Sequence, residues 1–184
     1  MSDGSLAARL VAALALVLAL GGCFETRGEI FKPEQAVAVP GIEGVYATQT
    51  NRYRVTAIPG TGDYAFANPT NPKDGPGRFR AVLVGDDLYA VQLRLDEWDR
   101  DLYWELLFRV IRKGDAIERI VTLEPDLRAS EALAAKNGIE LLKSSEDSAN
   151  DPKILTGTPE AVASFMRALS TVPTTNGEIY RRIR

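Results

Sequence analysis

The segment DLYWELLFRVIRKGDAIERIVTL, residues 101–123, decides the fold. Leu102, Trp104, Leu106, Phe108 and Val110 fall on one face of an extended chain, with Tyr103, Glu105, Leu107, Arg109 and Ile111 on the other. Strict alternation of this kind is the signature of a strand. Lys113-Gly114-Asp115 then separates it from a second run, AIERIVTL, by a length that hairpins favour. The first face reads as core. The second mixes Glu105 and Arg109 with Leu107 and Ile111, which calls for partial cover by a helix or another strand.

The same pattern extends upstream. RFRAVLV (78–84) meets LYAVQLRL (88–95) across Gly85-Asp86-Asp87, and VYATQT, RYRVTAIP and DYAFAN are shorter runs rich in Tyr, Val and Thr. NPTNPKDGPG, residues 68–77, holds turn residues and no apolar one, so it reads as an exposed loop. Downstream the period becomes helical. Leu127, Ala132 and Leu133 mark a stripe that ends at Asn137-Gly138, followed by Ile139. Thr158 and Pro159 open a second helix, along which Val162, Phe165, Met166 and Leu169 share a side. Lys153-Ile154-Leu155 is a short strand between them. The expected class is α+β, a curved antiparallel sheet built as a meander of hairpins with two C-terminal helices packed on it.

At the other end, LVAALALVLALGGCF (10–24) runs eleven apolar residues into two glycines and the single cysteine. Leu10–Leu20 is too short for a membrane span of about 20 residues but fits a signal-peptide hydrophobic region. Leu20-Gly21-Gly22-Cys23 resembles the lipobox of bacterial lipoproteins, which implies removal of residues 1–22 and acylation of Cys23. Phe24 stands where, in that family, an Asp favours inner-membrane retention, so the outer membrane facing the periplasm is the expected address. Residues 23–41 then read as a lipid-anchored tether and N-terminal arm, with 24–29 as tether and 30–41 as an arm with a short helical turn. Residues 42–184 read as a single domain. FKPEQAVAVPGIEGVY, the hairpins and ILTGTPEAVASFMRAL together resemble uncharacterised α+β envelope lipoproteins, a family with no established activity to carry over.

Composition narrows the chemistry. The chain has no histidine, which removes Ser-His-Asp and Cys-His devices and the commonest transition-metal ligand. The net charge is −3 without a basic face, so no nucleic-acid partner is expected. No cofactor or metal is expected either, because the carboxylates at 96–101 lack the spacing of a calcium loop.

The densest polar cluster is DEWDRDLYWE (96–105). Asp96, Asp99 and Asp101 beside Trp98 are candidates for contact with a ligand or partner. Paired carboxylates about 5–9.5 Å apart could also cut a glycosidic bond, but a charged hairpin tip is the simpler reading. Tyr46, Tyr53, Tyr64, Phe66, Phe79 and Tyr89 would line a cavity if the sheet encloses one, and fill the core otherwise. EIYRRIR (178–184) is either a free edge for a partner's strand or one more strand of the sheet. The functional expectation is a non-enzymatic binding or interaction module, with the membrane and an envelope protein as partners. A lipid or glycan carrier is the alternative, and a carboxylate-dependent hydrolase ranks below both.

Overall fold

The structure is a computed structural model that describes residues 24–70, 76–96, 102–143 and 153–183. Eight strands form a closed barrel: β2 (Gly44–Ala47), β3 (Arg52–Ala57), β4 (Asp63–Ala67), β5 (Gly77–Gly85), β6 (Leu88–Leu95), β7 (Leu102–Lys113), β8 (Ala116–Pro125) and β11 (Thr174–Ile183). The first seven are a plain antiparallel meander. Three further strands, β1 (Phe24–Arg27), β9 (Glu140–Lys143) and β10 (Lys153–Thr156), form a side sheet. The two helices, α1 (Leu127–Lys136) and α2 (Pro159–Ala168), have ten residues each.

This corrects the α+β expectation of a curved sheet with two packed helices. The sheet closes on itself, and the helices are a minor part of a mostly antiparallel strand structure. Closure comes from β11, which pairs with β2 (Arg181↔Ala47 to Ile183↔Val45) on one edge and with β8 on the other. The tail EIYRRIR is therefore one more strand of the sheet, paired with β8 through Arg181 and with β2 from Arg181 to Ile183.

Two bulges adjust the alternation. Between Arg119 and Ile117 strand β8 carries an extra residue, Glu118, against the consecutive Ile111 and Arg112 of β7, which turns both Ile117 and Ile120 into the lumen. On β11, Gly177 and Glu178 together stand opposite Thr122, between the pairs Asn176↔Leu123 and Ile179↔Val121.

The predicted faces of β7 separate two cores. Leu106, Phe108 and Val110 join Tyr46, Val55, Tyr64, Phe79, Tyr89 and Val91 inside the barrel. Leu107 faces outward into a second cluster with Val82, Leu88, Val121 and Leu123, closed over by Phe24, Leu155 and the helices. Val162, Phe165 and Met166 of α2, and Leu169 just after it, are all buried, as the periodicity predicts. Thr158 caps that helix by accepting from the Ala161 amide at 3.2 Å, and Asp126 caps α1 by accepting from Ala129 at 2.8 Å.

Residues 24–27, read as tether, are instead strand β1, inserted between β7 and β10. Phe24 is buried and packs edge-to-face on Phe165, with ring centroids 5.4 Å apart. The short FETR run hid this strand, since its polar side chains are satisfied internally: Thr26 donates to Glu105 and Glu25 accepts from Trp104.

Candidate functional site

One end of the barrel is shut. Residues 37–43 cross it, with Val39 and Ile42 buried in the lumen core. Tyr64 accepts a hydrogen bond from the Val39 amide at 2.8 Å, and the Tyr46 hydroxyl donates to the Ile42 carbonyl at 2.8 Å. Burial pushes the Tyr46 phenol up, which suits its role as a permanent donor. Two arginines pin the crossing chain from outside, Arg112 on the Pro40 carbonyl at 2.9 Å and Arg182 on the Gly41 and Glu43 carbonyls. Arg112 is itself held by Asp87 at 3.0 Å.

Among the described residues the other end, where β2 passes to β3, β4 to β5 and β6 to β7, opens into a cavity of about 150 Å³. Its wall is apolar and aromatic: Tyr46, Tyr53, Phe66 and Phe79, with Trp104, Phe108 and Tyr180. Ring contacts order this wall, with Tyr53 and Tyr180 at 5.9 Å, Tyr53 and Phe66 at 6.4 Å, and Phe79 and Phe108 at 6.4 Å. Of the six aromatics expected around an enclosed space, four line it. Tyr64 and Tyr89 pack in the lumen core without lining the cavity.

Polar groups are few and gathered on one side. Among the described lining residues Glu178 is the only charged one, joined by Thr122 and by the Tyr180 hydroxyl, which donates to Glu178 Oε2 at 2.8 Å. Sequence reasoning missed Glu178, because plain alternation along β11 gives no hint of the bulge.

The cluster at 96–101 is described only at Asp96. Its carboxylate stands 3.5 Å from Arg78 Nη2 on the solvent side of the sheet, and both groups are exposed. Trp98, Asp99 and Asp101 lie outside the described residues, as does Cys23, the expected lipidation site. No group of three or more Asp, Glu or Cys able to hold a metal occurs among the described residues. Within the same residues, no helix is long and apolar enough to cross a membrane.

One buried carboxyl stands apart from the cavity. Glu105 is fully buried, with Oε1 accepting from Gln92 Nε2 at 2.7 Å and from Thr26 Oγ1 at 2.9 Å. Burial raises its pKa to about 8, so it is mostly protonated at neutral pH. Its hydrogen-bond partners are a neutral amide and a hydroxyl, which makes it a structural acid at the junction of β1, β6 and β7 rather than half of a catalytic pair. Arg80 is likewise structural, bound to both oxygens of Asp63 at 2.6 and 3.0 Å, to Glu29 at 3.2 Å and to the Phe31 carbonyl.

Comparison with protein-family models, with curated proteins and with solved structures returns no match to this chain.

Proposed function

We propose that the protein is a non-enzymatic binding module that holds one small apolar ligand in the mouth of its barrel. The cavity carries this reading. An eight-stranded barrel is just wide enough either to be filled by side chains or to hold a single small ligand, and here about 150 Å³ is left unfilled. A largely apolar space of that size accepts a benzene-sized molecule.

An envelope address belongs to the same proposal. It is supported by the apolar run at 10–20 and the Leu20-Gly21-Gly22-Cys23 motif, which favour an acylated Cys23 and attachment to the outer membrane on its periplasmic side. The reading as a docking module for an envelope protein is weaker, since the barrel is closed and, among the described residues, the sheet ends at β9.

Calorimetric titration of the purified chain with toluene tests the ligand reading. One saturable site is expected, and Leu93→Trp, placed in the half-buried wall opposite Trp104, should abolish it. Absence of binding to the parent protein would refute the proposal. For the anchor, Cys23→Ser should release the protein from the membrane fraction, and persistence there would refute acylation.

A further inference from the structure

We infer that the ligand is an amine, its apolar body in the barrel cavity and its ammonium group on Glu178. The inference rests on the binding reading above and adds the chemistry of the ligand's head.

The bulge on β11 is the first support. Without its extra residue, alternation would set Glu178 opposite Val121, on the outer face that packs into the apolar cluster beneath the helices. With it, Ile179 takes that place and Glu178 turns into the lumen, where it lines the cavity. A bulge re-aims a side chain in this way next to functional sites. Gly177 makes the bulge possible: a Cβ there would stand 2.7 Å from Thr122 Oγ1 and 2.8 Å from Glu124 Oε1.

The second support is the hydrogen-bonding state of Glu178. Tyr180 donates to Oε2 at 2.8 Å, which fixes the carboxylate and leaves Oε1 as the acceptor for a ligand. Among the described residues no basic side chain lines the cavity to neutralise it. A carboxylate at the edge of an apolar space calls for a cationic donor.

The third is the wall. Tyr53, Phe66 and Tyr180 gather beside the carboxylate, and the faces of such rings attract an ammonium group within about 6 Å. The same carboxylate would repel a fatty acid or other anion, which argues against an acyl-chain carrier.

Four probes of one shape separate the possibilities: toluene, benzyl alcohol, benzylamine and benzoate, titrated calorimetrically into the full chain and into Glu178→Gln. Benzylamine should bind about tenfold more tightly than toluene or benzyl alcohol, and benzoate most weakly. Glu178→Gln should erase the preference for the amine while toluene binds as before. The toluene measurement also shows that the variant is folded, as expected because the backbone of Glu178, not its side chain, makes the bonds to Thr122. Equal affinities for toluene and benzylamine, tighter binding of the alcohol, or an amine preference that survives in Glu178→Gln would overturn this inference and leave the cavity reading standing. Failure of every probe to bind would overturn both.

Discussion

The amide of Glu178 donates to Thr122 Oγ1 at 2.7 Å, and the Thr122 hydroxyl donates back to the carbonyl of the same residue at 3.3 Å. One side chain thus replaces the ladder bonds that the bulge interrupts.

Thr122→Val keeps the shape and removes both bonds. It should lower stability by about 1–3 kcal/mol, the cost of leaving a buried amide unpaired, whereas Thr122→Ser should stay close to the parent. Urea midpoints of the three proteins provide the measurement. A Val variant as stable as the parent would mean that the bulge needs no such support.

Glu105 predicts a pH dependence. Its folded pKa of about 8 lies above the ordinary 4.5. Between those values the folded state keeps a proton that the unfolded chain releases. Its contribution is therefore fully present below about pH 4.5 and is lost as pH rises to 8, on the order of 5 kcal/mol across the window. Glu105→Gln removes that titration. Unfolding free energies from pH 5 to 8.5 should fall more steeply for the parent than for the variant, and parallel profiles would count against a protonated Glu105.

The two arginines over the closed end should matter for local opening rather than for global stability. Arg112→Ala with Arg182→Ala frees the carbonyls of Pro40, Gly41 and Glu43. Hydrogen exchange at the Val39 and Ile42 amides should accelerate about tenfold or more, with little change at β7. Uniform acceleration across the barrel would show that the crossing chain belongs to the global folding unit.

Phe165→Ala probes the outer core. This fully buried ring packs on Phe24, and its loss should cost about 3–5 kcal/mol. Toluene affinity should not change, because the lumen is lined from the opposite faces of the strands. Calorimetry on the variant tests that separation, and a weakened site would mean that the two cores are coupled.

Much of the barrel was legible locally. Alternation along 102–110 assigned Leu106 and Leu107 to opposite faces, the second partly covered, and the stripe at 162–169 predicted its four buried residues. Closure was not legible, because Val45–Ala47 finds its partner in Arg181–Ile183 at the far end of the chain, and no local pattern encodes that pairing. The candidate site was half visible for the same reason. Tyr53, Phe66 and Phe79 could be named as wall residues, but Glu178 enters the cavity only through a bulge whose position depends on its neighbour Thr122. Asp96, singled out for its charged company, turned out to be an exposed partner of Arg78.

Strand β1 has a bearing on how the molecule would stand on a membrane. It runs antiparallel to β7, with Arg27 beside Leu102 at the mouth and Phe24 further down beside Glu105. An acyl group on Cys23 would be one residue, about 3.5 Å of chain, from the folded body. On the anchored reading, the direction of β1, from Phe24 toward the mouth at Arg27, would put the attachment point on the side away from the barrel opening.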